Sequence, residues 1–232
     1  MKASLIIPTY NEAGNITQIV EKVREISKKK CMDLDIIIVD DNSPDGTGDK
    51  AEKLAEKYPG EIKVLHRKVK EGLSSAIVAG FKSAVNDIVG VTDADMSHEL
   101  EKIPGMIAAI ASGEAQLAIG SRYVKGGGIG NWGIKRRIIS KTAVLLARPL
   151  TGITDPVSGF FFLDKKIIEG VELNSAGYKL LLEIIVKGRY DKAVEIPYNF
   201  TDRKIGKSKL DLNEFRCYLK TLYMLYRYRY GL

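Results

Sequence analysis

The stretch IIIVDDNSPDGT, residues 36–47, decides the fold. Ile36 to Val39 form an unbroken β-branched run, which reads as a strand buried on both faces. The run ends at Asp40 and Asp41, crosses a turn rich in Asn, Ser, Pro and Gly, and opens a helical pattern at Thr47. The same grammar recurs on either side. Upstream, Leu5-Ile6-Ile7 is stopped by Pro8, and residues 15–30 carry Ile16, Ile19, Val20, Val23 and Ile26 at helical spacing. Downstream, helices over 47–58, 73–85 and 101–111 alternate with strands over 62–65, 88–92 and 115–119. This alternation predicts an α/β fold, a parallel sheet covered by helices on both faces.

Beyond residue 120 the pattern loosens. Residues 125–133 hold five glycines in nine and are expected to form a mobile loop. A basic amphipathic helix is expected over 134–146, strands over 160–163 and 194–196, a helix between them over 179–187, and a last helix over 211–229. No repeat and no linker divides the chain. The expected organisation is one domain over 1–210, followed by an amphipathic helix over 211–232.

At 232 residues, 45% apolar and 28% charged, the chain has the composition of a globular protein, not a disordered one. Its 36 basic and 29 acidic residues give a net charge of +7, which suits a phosphate-bearing partner. With two cysteines and two histidines, a disulfide framework and a His-rich metal site are both excluded. No apolar run reaches the ~18 residues that span a bilayer. The opening MKASLIIPTYNE has too short an apolar core for a signal peptide. Any membrane contact is therefore expected to be peripheral.

In open α/β sheets, ligands bind at the carboxyl ends of the strands. Four polar loops follow the predicted strands: residues 8–12, 40–47, 93–95 and 120–123. One such loop alone reads as turn and cap chemistry, but four on one edge point to a site. Asp93 and Asp95 stand at i and i+2, where an extended chain would turn both carboxylates to one side. Such a pair suits a hard divalent ion, Mg2+ or Mn2+, that completes its shell with a diphosphate; a solvated strand end is the plainer alternative. Two other patterns mislead. Gly128, Gly130 and Gly133 match GxGxxG but do not lie in the tight turn after a strand. Asp41, Ser43, Asp45 and Glu52 suggest a calcium loop, but a strand stands where that loop needs a helix.

Taken in order, PTYNE (8–12), DDNSPDGT (40–47), DADMSH (93–98), GSRY (120–123), DPVSGFF (155–161), GYKLLLE (177–183) and RKIGKSKL (203–210) resemble a family-2 glycosyltransferase of the dolichyl-phosphate mannose synthase type. The resemblance covers nearly the whole chain, and its last motifs point to polyprenyl-phosphate sugar synthases. It implies a GT-A fold, a single Rossmann-like and mostly parallel sheet, and an inverting transfer of mannose from GDP-mannose to a polyprenyl (dolichyl) phosphate. By position in the motifs, Pro8, Tyr10, Glu12, Val39 and Asp41 would hold the nucleotide. Asp93, Ala94 and Asp95 would line the metal and diphosphate. Arg122, Arg203 and Lys209 would bind phosphates, with Asp93, Asp95, Arg122 and Arg203 forming the catalytic set. Arg136 and Ser140 would face the acceptor phosphate. Some members carry Gln as a third metal ligand where Ser97 stands here.

The nearest rival within the enzymes uses a UDP-sugar of the glucose type. A non-catalytic nucleotide-binding module is the rival of another class. Nucleic acid is disfavoured, because the acidic loops would repel its backbone. Arg203 and Lys209 read either as a phosphate-binding lid or as surface cations. Trp132 is expected to pack rather than to bind. The helix over 134–146 and the tyrosine- and arginine-rich C-terminal helix suit a headgroup surface, the alternative for the latter being a helix packed on the core. The expected location is the cytoplasmic face of a membrane, with a membrane-embedded partner subunit compatible with that placement.

Overall fold

A computed structural model of the protein describes residues 2–130, 132–173, 179–202 and 212–231. Strands β1 (Lys2–Thr9) and β2 (Asp33–Asp40) run parallel, with Lys2 opposite Asp33 and Thr9 opposite Asp40. They are joined by α1 (Ile16–Lys29). Helix α2 (Thr47–Lys57) leads to β3 (Ile62–His66), which pairs with β2. Helix α3 (Leu73–Ser83) leads to β4 (Ile88–Val91) on the other side of β1. There follow α4 (Ile103–Ala111), β5 (Leu117–Ser121), β6 (Gly128–Ile129) and α5 (Ile134–Ala147). The chain continues with β7 (Phe161–Asp164), α6 (Leu180–Lys187), β8 (Ala193–Pro197), β9 (Asn199–Phe200) and α7 (Leu212–Tyr230).

Among the described residues one sheet has the order β3-β2-β1-β4-β7-β5-β8. All its pairings are parallel except those of β7, which runs against both β4 and β5. The predicted mostly parallel sheet is borne out, and the alternation of side chains explains its layers. Leu5, Ile7, Ile36 and Ile38 pack under α1, α2 and α4, whereas Ile6, Ile37 and Val39 pack under α3 and α6. Inserting β7 requires glycine on both its neighbours. A Cβ at Gly90 would sit 2.2 Å from the Phe162 ring, and one at Gly120 would sit 2.6 Å from the Phe160 ring.

The glycine-rich segment is a correction. Residues 128–129 form β6, which pairs in parallel with β9 as a small second sheet. The Gly128 N–H donates to the Tyr198 carbonyl at 3.0 Å and the Gly130 N–H to the Phe200 carbonyl at 2.8 Å. A Cβ at Gly127 would come within 2.5 Å of the Ser121 carbonyl oxygen. The glycines are there for close approach, not for mobility. Helix α7 buries Tyr218, Leu222 and Leu225 against Leu182 and Val186 of α6 and Val144 of α5.

Candidate active site

The carboxyl ends of β1, β2, β4 and β5 carry the four polar loops to one edge of the sheet, and antiparallel β7 brings residues 155–160 to the same edge. On the β1/β2 side, carboxylates are held by hydroxyls and backbone N–H groups. Asp40 accepts from Thr9 Oγ1 at 3.2 Å, from Ser43 Oγ at 2.5 Å and from the Ser43 N–H at 3.1 Å. Asp45 accepts from Ala13 N–H and from both the N–H and hydroxyl of Thr47. Burial raises the Asp45 pKa, but these donors, with the Thr47 hydroxyl foremost, outweigh it and leave the carboxyl below the usual value. The Glu12 N–H donates to Thr47 Oγ1 at 2.9 Å, so loops 9–13 and 40–47 form one laced unit.

Pro8, Tyr10, Glu12, Val39 and Asp41 all come together here, with Pro8 opposite Val39 in register. Asp41 is buried, and its carboxylate is engaged within the chain. It accepts from the Glu71 N–H at 3.0 Å and the Gly72 N–H at 2.8 Å, and pairs with Arg67 at 2.9 Å. It therefore fixes the 67–72 loop beside Tyr10. That loop carries Lys70, whose ammonium lies 3.7 Å from the centroid of the Tyr10 ring. Sequence reasoning missed Arg67 and Lys70, because two more cations on a basic chain carry no signal of their own.

The Asp93–Asp95 pair lies on a turn, not on an extended strand, so the i, i+2 argument for a shared face does not apply. Strand β4 ends at Val91, and the turn is closed by Asp95 Oδ1 accepting the Ser97 N–H at 3.1 Å. Asp95 and Ala94 are buried, while Asp93 is partly open. The Ser97 Oγ is buried without a hydrogen-bond partner. Gly159 of DPVSGFF lies against the Asp93 carboxylate, where a Cβ would be in ordinary contact at 3.4 Å. Two carboxylates and an orphan hydroxyl are the oxygen donors that Mg2+ or Mn2+ prefers, and the set fits such an ion. Among the described residues no three His, Cys, Asp or Glu side chains cluster for a metal, so most of its shell would come from outside the chain.

His98 supports this turn and was not among the expected site residues. It is buried, and burial pulls its pKa down to about 4, so the ring is neutral at pH 7. Its Nδ1 accepts the Asp93 N–H at 3.3 Å and lies 3.0 Å from Thr92 Oγ1. That assigns the proton to Nε2, which stands 3.7 Å from Asp93 Oδ2.

On the β5/β7 side arginines are held by carboxylates. Arg122, expected on the rim, is buried with its fork on Asp155: Nε to Oδ2 and Nη2 to Oδ1, both at 2.7 Å. Burial depresses its pKa, but the Asp155 carboxylate more than compensates and raises it. Asp155 takes the Arg122 N–H too, and its own N–H donates to Glu195 of β8 at 3.0 Å. The motif DPVSGFF thus locks the end of β5. The Tyr123 hydroxyl donates to Ser140 Oγ at 2.8 Å. Arg136 pairs with Asp202 at 2.5 Å and lies 4.0 Å from the centroid of the Trp132 ring. Trp132 is buried, as expected of a packing residue. Arg203 and Lys209 lie outside the described residues.

The glycosyl transferase family 2 model matches residues 4–171. A dolichol-phosphate mannosyltransferase of Pyrococcus furiosus is 46% identical over 98% of this chain, which spans 64% of that relative's length. One from Mycosarcoma maydis is 36% identical over 98% of this chain and 80% of its own length. A polyprenol monophosphomannose synthase of Mycolicibacterium smegmatis is 37% identical over 91% and 82%. In three dimensions, a glucosyl-3-phosphoglycerate synthase of Mycobacterium tuberculosis, solved with Mn2+ and UDP, has a TM-score of 0.70 over all of this chain and 80% of that one. At 16% identity that likeness bears on the fold alone, which is GT-A. The resemblance read from the motifs is thereby borne out: the chain belongs to glycosyl transferase family 2, among relatives called dolichol-phosphate mannosyltransferases.

Proposed function

We propose that the protein transfers mannose from GDP-mannose to a polyprenyl phosphate of the dolichyl type, with inversion at the anomeric carbon. The observation that carries this reading is the meeting of opposite charges at one sheet edge. The acidic turn at Asp93 and Asp95 follows β4 at the same sheet edge where Arg122 lies buried at the end of β5, with Arg136 and the Tyr123–Ser140 pair beyond it. Two anions, the donor diphosphate and the lipid phosphate, must approach there, so preorganised charge is what the reaction needs most.

Pro8, Tyr10, Glu12 and Val39 would seat the nucleotide between the laced loops, with Asp41 holding the loop above it. Asp93, Asp95 and Ser97 would hold Mg2+ or Mn2+, which when bound neutralises the leaving diphosphate. Arg203 and Lys209 would add charge against the donor phosphates, and Arg122 would contribute its field from beneath. Arg136 and Ser140 would take the acceptor phosphate. Its oxygen is already anionic at neutral pH, so it attacks the sugar without a dedicated base. Attack opposite the leaving group inverts the centre.

The acceptor is a lipid, and the outer faces of α5 and α7 suit a membrane surface. Ile134 is 77% exposed, Leu145 66% and Tyr223 64%, among Arg137, Lys141, Lys220 and Arg227. Among the described residues no helix is long and apolar enough to cross a membrane. We place the protein at the cytoplasmic face, with room for a membrane-embedded partner subunit.

Labelled GDP-mannose and UDP-glucose, each offered with a polyprenyl phosphate and Mn2+, test the reading. Label should move to lipid from GDP-mannose. Transfer from UDP-glucose instead would establish the rival donor, and transfer from neither would overturn the proposal.

A further inference from the structure

Between the acidic turn and the acceptor side stands a column of buried rings. The Trp132 ring meets Phe200 edge to face at 5.1 Å, and Phe200 meets His98 at 6.0 Å. His98 in turn stacks on Phe160 at 5.0 Å, nearly parallel at 11°. The column ends on charged groups. At one end the Arg136 guanidinium lies 4.0 Å from the Trp132 ring centroid. At the other, His98 Nδ1 takes the backbone N–H of Asp93, with Nε2 3.7 Å from that residue's carboxylate.

The ring at each end is chosen for the charge it meets. A phenyl at 132 would fill similar space without burying the unpartnered indole N–H. What the indole adds is the ring face most attractive to a guanidinium. A phenyl at 98 would stack on Phe160 as well, but it would accept nothing from Asp93. An ordinary apolar core needs neither feature.

We propose that the column Trp132–Phe200–His98 sets the separation between the acceptor-side cation Arg136 and the metal-side carboxylate Asp93, making Trp132 and His98 positioning residues. This rests on the roles proposed above for Arg136 and Asp93. Pre-setting the spacing brings two mutually repelling anions into line without leaving their geometry to flexible side chains.

Binding measurements on the full chain test it without requiring turnover. Titration with farnesyl phosphate should show Trp132→Phe weakening binding by roughly 3- to 10-fold. The same substitution in an Arg136→Ala background should change nothing further, because the cation it positions is gone. Free Mn2+ counted by electron paramagnetic resonance, with GDP present, should show His98→Phe weakening metal binding by roughly tenfold or more. His98→Asn, which keeps an acceptor near the Nδ1 position, should recover most of that loss. Thermal midpoints of all variants, and Trp132→Tyr as a second variant, control for folding.

Additive effects of Trp132→Phe and Arg136→Ala, or equal metal binding by the Phe and Asn variants at 98, would overturn the proposal. A wild type that binds both probes and shows these effects, yet transfers no sugar, would sink the proposed function and leave the column standing.

Discussion

The two sides of the sheet edge hold charge by different means. On the β1/β2 side, Asp40 and Asp45 are tied by hydroxyls and backbone N–H groups from loops only a few residues away or one strand over. On the β5/β7 side, Arg122 and Arg136 are tied by single carboxylates, 33 and 66 residues away in sequence, and Arg136 also by an aromatic face. Short polar donors make a cradle that tolerates the loss of any one of them. The buried Arg122–Asp155 pair does not, because removing one partner strands the other's charge.

The first test breaks the seam between the two sides. Asp95→Ala should cost transfer at least roughly 10³-fold at any metal concentration. Turnover assays across a Mn2+ series check this, and near-normal rates would remove the metal from the scheme. Asp155→Ala attacks the side held by ion pairs. With Arg122 left buried and unpaired, unfolding in urea should show a loss of about 3–5 kcal/mol. A loss below about 1 kcal/mol would mean that the guanidinium finds another partner and that the two sides do not differ as described.

Gly90→Ala sharpens the comparison without touching charge. Its methyl would collide with Phe162, so a loss of about 1–3 kcal/mol is expected in the same assay. The smallest effect belongs to the hydroxyl-laced side and is read from pH. The folded pKa of Asp45 lies below its unfolded value, so its contribution is present above that unfolded value and is lost as pH falls through the folded one. Stability measured from pH 6 down to 2 should therefore fall less steeply in Asp45→Asn than in the wild type. Identical slopes would show that the donors around Asp45 do not favour its charged form.

This division also explains what was legible in the sequence. The run at Ile36–Val39 and its neighbours encode β1 to β4 locally, each strand announcing itself and the helix after it, so that half follows from periodicity. Residues 160–163 read as a strand too, but nothing local says that it runs antiparallel between β4 and β5, where Gly90 and Gly120 make room for the Phe162 and Phe160 rings. Glycine composition at 125–133 fits either a loose loop or a tight one, and the deciding carbonyls of Tyr198 and Phe200 lie some 70 residues on. The motif residues that follow β1 and β2 do gather at one edge. The engagement of Arg122 by Asp155, and the turn that replaces an extended Asp93–Asp95 pair, depend on long-range contacts and on a strand that stops at Val91.

The position of β7 in the chain bears on synthesis. It emerges from the ribosome some 70 residues after β4, a delay of roughly 4–15 s at ~5–20 residues per second. Throughout that interval the strand it will join presents a bare hydrogen-bonding edge, open to pairing with a neighbouring nascent copy. Slower translation between these two points lengthens that exposure.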